Sequence, residues 1–508
     1  MPQSKPAPRE QSANTSGLGA VAARGTGVTL AGQGYTFLAQ MASIVILARL
    51  ILPGDFGLVA MVVAVIGVSE LFRDFGLSAA AMRAKELSRE ERDNLFWLNT
   101  AFGFAATVVV ALCAPLVGML YGDPRAVSVV MVLSISFTIS GITTQYNADL
   151  TRQMRFTAIT ITRAVGVTGA LVVAVIMALA GAGYWALVAQ RLVTLFLMMV
   201  LPAAMAGWLP GLPHRHTSVR HFMRFGVALF GTQLLKYCTD NIDSLAIGKV
   251  WGPVSLGYYD RGFRLLVSPL TQINAPMMQV ALPTLSRVYE DTRILERYIL
   301  KVQLILGYTL ASAFALAAGL SPSLIHILLG PDWGPVVPIF RALAIGGMFR
   351  STAQVAFWLF LSADRSGAQL KMSLVVSPIM VLCILAGVPW GAVGVAIGST
   401  VAYVMQWAIS LVWSARSTKL HPGRMLGNIV RVMALVSAPF GCLGWLAGTL
   451  GWPPVGTFAI ALLGCVAYLG ILAAVLPSVR RDLRVVFSFA AQMVGRRRRP
   501  QSGSPKRA

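Results

Sequence analysis

Apolar runs of about twenty residues recur along the chain, separated by short segments rich in Gly, Pro and charged residues. A helix needs about 20 such residues to cross the ~30 Å hydrocarbon layer of a membrane. The pattern therefore predicts an all-α polytopic membrane protein.

The breaks between the apolar runs predict about fourteen transmembrane helices. In chain order, the predicted spans are residues 26–48, 56–76, 95–119, 126–148, 158–180, 182–204, 224–250, 258–282, 300–320, 333–361, 371–388, 391–414, 427–448 and 455–477. The first 25 residues are polar and mixed in charge, without the apolar core of a signal peptide, which predicts a tail. The segment from residue 478 is polar and ends in GRRRRPQSGSPKRA.

A pattern of one basic residue, one Pro and one Gly occurs twice. The first copy is ARLILPGDFGLVA, residues 48–60, and the second is GKVWGPVSLGYYD, residues 248–260. The matched pairs are Arg49 with Lys249, Pro53 with Pro253, and Gly57 with Gly257. Two further echoes follow in the same order: MLYGDP with ILLGPDW, and GAGYWALVA with GAVGVAIGS. Because six spans separate the copies, they predict two six-helix lobes that are parallel repeats, plus two C-terminal helices.

The repeats and breaks together predict six segments. These are a tail (1–25), an N-lobe (26–204, helices 1–6), an inter-lobe loop (205–223), a C-lobe (224–414, helices 7–12), helices 13–14 (415–477) and a basic tail (478–508). About 31 basic residues fall on one side of the membrane in this topology, against Arg49, Arg125 and Lys249 on the other. The positive-inside rule then places both termini in the cytoplasm.

The composition of the chain supports a membrane protein, and the predicted topology accounts for its net charge. Hydrophobic residues make up 56% of the chain and charged residues 12%, about half the charge of a soluble domain. The formal charge of +23 is explained by the topology, so no nucleic-acid partner is predicted.

The five cysteines are scattered through apolar runs and have neither disulfide nor metal spacing. No metal or cofactor is predicted, and no ATP-binding G-x-x-x-x-G-K-[ST] motif occurs.

Several charged side chains fall inside predicted spans, where each costs about 2.5–3.5 kcal/mol and usually faces a cavity or a partner. The spacings of 3, 4 and 3 in span seven put four polar residues on one helix face. These are Gln233, Lys236, Asp240 and Asp243. The further charges taken as lying deep in spans are Arg191 in span six, Arg261 and Arg264 in span eight, and Arg341 and Arg350 in span ten, while Glu70, Arg73 and Asp74 lie at the cytosolic end of span two.

This set is predominantly cationic, and Arg is the side chain best shaped to bind a phosphate. The predicted substrate-binding residues of a central cavity are Arg191, Lys236, Arg261, Arg264, Arg350 and Gln233. Two interpretations of Asp240 and Asp243 stay open. They could form structural ion pairs with the arginines of span eight, or they could bind H⁺ or Na⁺ and couple it to transport.

Four segments of the chain, taken in order, are ILARLILPGDFGLVAM, DFGLSAAAMRAKELSREE, YCTDNIDSLAIGKVWGPVSLGYYDRGFRLLVSPL and LPTLSRVYED. Together they resemble the Wzx-type polysaccharide flippases. These form the exopolysaccharide and lipopolysaccharide branch of the multidrug/oligosaccharidyl-lipid/polysaccharide exporter superfamily. The run from Asp243 to Tyr259 is the most specific part.

The resemblance implies a flippase working by alternating access in the bacterial inner membrane. Its substrate would be an undecaprenyl-pyrophosphate-linked oligosaccharide used to make exopolysaccharide or lipopolysaccharide. It further implies a monomer surrounded by membrane lipids, with polysaccharide polymerase and export machinery as further partners. Related lipid II flippases carry an arginine in the first helix, whereas residues 26–48 here are uncharged.

Two other functions compete with a flippase. A drug or cation antiporter of the same superfamily would need a net acidic cavity. A membrane glycosyltransferase or polymerase would need large outer loops or paired carboxylates at a membrane face. Since the outer loops are short and the cavity charges are mainly basic, the sequence favours a transporter that is not an enzyme.

Overall fold

The computed structural model describes residues 10–74, 88–213, 220–288, 291–363 and 365–495. These ranges are helical and contain no strand, which confirms the prediction of an all-α fold. Parts of the predicted tails (1–9 and 496–508) and of the predicted inter-lobe loop (214–219) lie outside them.

Eighteen α-helices can be followed through the described ranges. They are α1 (Glu10–Ala48), α2 (Pro53–Asp74), α3 (Arg89–Leu112), α4 (Ala114–Tyr121), α5 (Pro124–Arg152), α6 (Phe156–Leu179), α7 (Tyr184–Ala206), α8 (Arg220–Val288), α9 (Thr292–Leu306), α10 (Ser312–Gly319), α11 (Ser321–Leu328), α12 (Val336–Ser362), α13 (Ser366–Gly387), α14 (Gly391–Ser417), α15 (Pro422–Val432), α16 (Ala438–Thr449), α17 (Pro454–Val475) and α18 (Pro477–Gly495). Short π-helical turns, Gly307–Ala311 and Met433–Ser437, join α9 to α10 and α15 to α16.

Within the described ranges, every predicted span falls on one of these helices or on a pair of consecutive ones, and residues 75–76 of the second span lie outside those ranges. Within the described ranges, nine helical segments are long and apolar enough to cross a membrane. One of them, Gly367–Ser417, is 51 residues long and contains two predicted spans. The protein is thus a multi-pass membrane protein, while the number of fourteen crossings stays a prediction.

The packing of the chain divides it into two compact units, Met1–Arg261 (unit 1) and Gly262–Ala508 (unit 2). The division falls inside α8, beyond the break at Gly252, where φ is 78° and ψ is −177°. Only glycine adopts this backbone conformation readily, so Gly252 ends predicted span seven and lets the chain turn into span eight. The lobe limits predicted from the repeats rest on topology and stay predictions.

Helices α3 and α5 of unit 1 approach each other closely through two glycines. A Cβ on Gly103 would lie 2.5 Å from the carbonyl oxygen of Phe137, and one on Gly141 would lie 2.5 Å from that of Asn99. Small residues at such crossings let helix backbones meet in a membrane, where packing replaces the hydrophobic effect as the main attraction. The two helices therefore pack with their backbones in close contact within unit 1.

The segment that follows α7 is fixed to the same two helices. The Trp208 indole lies among Phe96 and Tyr146, and its Nε1–H donates to Asp149 Oδ2 at 3.0 Å. The guanidinium carbon of Arg92 lies 4.0 Å from the centre of the indole ring. A cation over an indole face is favourable, so Trp208 anchors residues 207–213 at this end of unit 1.

In unit 2 a row of polar contacts joins α9–α10 to α15–α16. The hydroxyls of Ser312 and Ser437 lie 3.1 Å apart, beside the two π-helical turns. Closer to the start of α9, Asn428 Nδ2 donates to Leu300 O at 3.1 Å and to Gln303 Oε1 at 3.3 Å. Polar groups inside helix bundles are satisfied by neighbouring helices in this way. Predicted spans nine and thirteen are therefore joined by hydrogen bonds as well as by packing.

Candidate functional site

The carboxylate of Asp243 connects the two arms of the turn at Gly252. Asp243 is buried, and its Oδ2 accepts a hydrogen bond of 2.7 Å from the hydroxyl of Tyr259, which is fully buried. The backbone N–H of Ser244 donates to Oδ1 at 2.7 Å. Hydrogen bonds to a charged acceptor are stronger than neutral ones. Asp243 therefore fixes span seven to the start of span eight inside unit 1.

Arg261 is buried beside this pair but has partners of its own. Its Nη2 lies 2.5 Å from Asp260 Oδ2, and its guanidinium carbon lies 4.1 Å from the centre of the Phe56 ring. The ion pair neutralises the guanidinium, and the ring covers one of its faces. The sequence-based charge balance set the buried cations against Asp240 and Asp243 alone and so omitted Asp260.

The two copies of the repeated motif pack on each other inside unit 1. A Cβ on Gly57 would lie 1.6 Å from the carbonyl oxygen of Pro253, and a Cβ on Gly257 would lie 1.9 Å from that of Pro53. The contact is reciprocal, with each glycine lying against the proline of the other copy. The repetition in sequence therefore reflects a local two-fold relationship between α2 and the second half of α8.

Arg350 of α12 is held by an aromatic residue in unit 2. Its Nη1 donates to the hydroxyl of Tyr403 at 2.7 Å, and its guanidinium carbon lies 4.9 Å from the centre of that ring. The ring of Phe263 lies 5.9 Å away from the same carbon. Arg341, which precedes Arg350 on α12 by about two and a half turns, donates from Nε to Ser321 Oγ at 3.1 Å. Both cations lie half-buried within an otherwise apolar helix.

The other predicted residues are dispersed. Arg191 is half-buried on α7, next to Gln190, whose Nε2 donates to Ser43 Oγ of α1 at 2.7 Å. Asp240 is exposed on α8 in unit 1, and Arg264 is exposed in unit 2. The side chains of Gln233 and Lys236 lie outside those described, although both residues lie on α8.

Each unit thus holds part of the predicted set. Unit 1 contains Asp243 with Tyr259 and Arg261 with Asp260, and unit 2 contains Arg350 with Tyr403. A shared cavity lined by these residues stays a prediction, as do their roles in binding. No cluster of three or more metal-binding side chains occurs in the described ranges.

Sequence reasoning missed the aromatic partners of the buried charges. Tyr259 belongs to the most specific motif of the chain, but its hydroxyl reaches Asp243 only because the backbone turns at Gly252. Tyr403 is 53 residues from Arg350 and meets it through the packing of α12 on α14. Asp260 could have been found, because it precedes Arg261 directly within a predicted span.

Comparison with known protein families shows to which family the chain belongs. Residues 46–338, more than half of the chain, match the family described as "Polysaccharide biosynthesis protein". The chain belongs to the polysaccharide biosynthesis protein family. This confirms the relationship predicted from the motifs around Pro53 and Asp243.

The chain is also similar to proteins with curated descriptions, including the following two. One is the lipopolysaccharide biosynthesis protein WzxC of Escherichia coli, 23% identical over 372 residues that cover 72% of this chain and 75% of WzxC. The other is the succinoglycan biosynthesis transport protein ExoT of Rhizobium meliloti, 24% identical over 63% of this chain and 65% of ExoT.

A solved structure shows the same fold. The lipid II flippase MurJ, in an inward closed conformation, superposes with a TM-score of 0.70 over 88% of this chain and 98% of MurJ, at 12% sequence identity. The polysaccharide biosynthesis chain therefore has a MurJ-like transporter fold.

Proposed function

We propose that the protein is a flippase that moves a polyprenyl-pyrophosphate-linked oligosaccharide across the bacterial inner membrane for the synthesis of a surface polysaccharide. The observation that carries the proposal is the family match over residues 46–338 in a multi-pass helical chain. The relatives are in keeping with it, since ExoT is named as a transport protein. The structural neighbour MurJ is named as a lipid II flippase, which is a transporter and not an enzyme.

The charges within the spans support an anionic substrate. The guanidinium of Arg350 is a cation, as arginine is in proteins, and it donates a hydrogen bond to the phenol of Tyr403. A guanidinium within a bundle of apolar helices attracts and forks phosphate oxygens. We assign the phosphate-binding role first to Arg350, together with Arg191, Lys236, Arg261, Arg264 and Gln233 as the predicted set.

The membrane potential favours the proposed direction. Moving one elementary charge across 100 mV is worth about 2.3 kcal/mol. A headgroup with about two negative charges that leaves a negative interior gains about 4–5 kcal/mol at that potential. Export therefore needs no nucleotide hydrolysis to be favourable.

Coupling to H⁺ or Na⁺ would act at Asp243 and Asp240. The carboxylate of Asp243 is buried, and its hydrogen bond from Tyr259 spans the turn at Gly252. Binding a proton or a cation there would compete with the tyrosine hydroxyl. Occupancy of the carboxylate would then change how the two halves of α8 are held together.

The proposed orientation has both termini in the cytoplasm, which follows from the positive-inside rule. The motif contact of Gly57 with Pro253 then lies near the outer surface. The lipid-linked substrate and the surrounding lipids are the direct partners, and we propose that the protein acts as a monomer. Polymerase or export machinery would receive the substrate on the outer side.

A deletion strain tests the function. Loss of the protein should stop surface polysaccharide production and leave lipid-linked oligosaccharide in the cytosolic leaflet, where a membrane-impermeant glycosidase cannot reach it. Complementation with R191Q, K236Q or R350Q should fail to restore the polymer at normal amounts of membrane protein.

Two results would count against the proposal. If the deletion strain makes normal polymer but becomes sensitive to cationic drugs, the protein is an antiporter of the same superfamily. If the lipid-linked oligosaccharide is absent from both leaflets, the protein acts in synthesis and not in transport. Normal polymer from all three variants would remove the phosphate-binding role while leaving the flippase function standing.

A further inference from the structure

The helix α18 begins where a membrane span ends. Helix α17, the most apolar of the described spans, ends at Val475, and α18 starts at Pro477. Arg480 fixes the junction, because its Nε and Nη2 donate to the carbonyl oxygens of Ala473 and Ala474 at 3.1 Å each. These carbonyls belong to the last turn of α17, where a cation also complements the helix dipole. Because α17 is long and apolar enough to cross a membrane, we expect the start of α18 to lie at the depth of the lipid headgroups.

One face of α18 is attached to unit 2. Val479 and Asp482 are buried, and Asp482 Oδ2 accepts from Arg431 Nη2 at 2.6 Å and from the hydroxyl of Tyr308 at 3.3 Å. Arg431 lies on α15, and Tyr308 lies in the π-helical turn after α9. The helix is consequently docked on predicted spans nine and thirteen, through the only acidic residue in its sequence.

The opposite face is basic and apolar together. Arg481 and Arg484 are exposed, and Phe487, one turn further along, is 68% exposed. The single carboxylate of the helix is turned inward and paired with Arg431, although the charge of Arg481 also acts on it, and the exposed face itself contains no acidic residue. An exposed Phe beside arginines at a membrane boundary is the composition of a helix that lies in the headgroup layer.

We propose that α18 is a docking surface for anionic phospholipid, in which Arg481 and Arg484 bind headgroup phosphates and Phe487 enters the acyl boundary. Position and composition favour this partner over an acidic protein segment, which would not require an aromatic residue at headgroup depth. The sequence continues with arginine at each of residues 496–499, adding to the attraction for an anionic surface. The proposal does not depend on the flippase function.

The experiment uses the full-length protein in nanodiscs of phosphatidylcholine alone or with phosphatidylglycerol added. Amide hydrogen exchange is followed across Pro477–Gly495, with Pro454–Val475 as the internal reference. Each basic residue near an anionic surface contributes about a fivefold change in affinity, so R481Q/R484Q should lose up to about 30-fold in lipid-dependent protection. The matched control R481K/R484K keeps the charge and should retain most of it, and F487S should lose part of it.

The expected result is slower exchange in the anionic nanodiscs for the wild type and the lysine variant, and a much smaller difference between the two nanodiscs for the glutamine variant. Equal exchange of the wild type in both lipids would overturn the proposal. So would a lipid effect in R481Q/R484Q as large as in the wild type, because the attraction would then lie elsewhere. Protection by an added acidic peptide but not by lipid would assign the surface to a protein partner.

Discussion

Gly57 lies directly against the backbone of Pro253, so closely that a Cβ on Gly57 would be 1.6 Å from the proline carbonyl oxygen. The partner contact of Gly257 with Pro53 repeats this geometry, at 1.9 Å. Two copies of one motif therefore form a contact that tolerates no side chain on either glycine. In the proposed orientation the contact holds α2 and α8 together at the outer side of unit 1.

Replacing Gly57 by alanine should destabilise the protein by about 3 kcal/mol, at the upper end of the cost of overpacking, because the obstacle is backbone and cannot rotate away. The thermal unfolding midpoint of the purified protein in detergent measures the effect. The matched control is G54A in the first turn of the same helix, where the nearest atom, a Val254 methyl carbon, would be 3.4 Å away. Equal midpoints for G57A and G54A would show that the helices can separate at this crossing without cost.

Removing the hydroxyl of Tyr259 should leave the buried carboxylate of Asp243 short of one donor. A hydrogen bond to a charged group contributes about 1.5–3 kcal/mol, so Y259F should lower the free energy of unfolding by that amount. The D243N variant also weakens the bond, and the double variant D243N/Y259F should therefore cost less than the sum of the two single changes. Strict additivity in this double-mutant cycle would show that the two side chains do not interact energetically.

Asp482 should make the docking of α18 depend on pH. Burial raises the pKa of this carboxyl above 3.8, although the charge of Arg431 and the hydrogen bonds from Tyr308 and Arg431 lower it in part. The folded state then binds the proton more tightly than the unfolded state, so the contribution of Asp482 to stability falls as pH rises from 3.8 to its folded-state pKa. Above that value the contribution is constant.

The comparison of wild type with D482N measures this dependence. The thermal unfolding midpoint of the wild type minus that of D482N should fall as the pH is raised, because the carboxyl of the wild type titrates and asparagine does not. A difference that grows with pH would mean that the ion pair with Arg431 outweighs the burial of the carboxylate.

Variants of Arg350 and Tyr403 can distinguish a residue that binds the substrate from one that positions the guanidinium. The Y403F variant keeps the ring near the guanidinium but removes the hydrogen bond of 2.7 Å, so polymer output should fall in part. The R350Q variant removes the charge and should abolish output, while R416Q, an exposed arginine of the same unit, should leave it unchanged. Surface polysaccharide per amount of membrane protein is the readout. A loss in Y403F as complete as in R350Q would mean that the hydroxyl itself binds substrate.

Hydrophobic patterning predicted the helices well, because a membrane demands long apolar segments that are visible in any sequence. The π-helical turn at Gly307–Ala311 and the break at Gly252 divide or widen helices without changing their apolar character, so the pattern could not predict them. Helix α18 was taken only as part of a polar tail, because its apolar face is short and interrupted by arginines.

The sequence predicted which charged residues belong to the candidate site, but it did not predict which side chains contact them. Depth and spacing identified Asp243 and Arg350, since few ionisable residues occur in membrane helices. Their partners Tyr259 and Tyr403 are brought to them by tertiary packing, which one-dimensional spacing does not encode. The duplicated architecture inferred from the repeated motif stays a prediction, and the packing of one copy on the other could be seen only in three dimensions.

The hydroxyl pair of Ser312 and Ser437 has a mechanical consequence for unit 2. Gly307 lies against Val432, where a Cβ would come within 2.8 Å of a methyl carbon. Sliding either helix lengthwise by one turn, about 5.4 Å, would pull the serines apart and drive larger residues into that notch. The serine pair and the glycine contact therefore oppose sliding of α9–α10 along α15–α16, and α18 is attached to the same helices through Asp482.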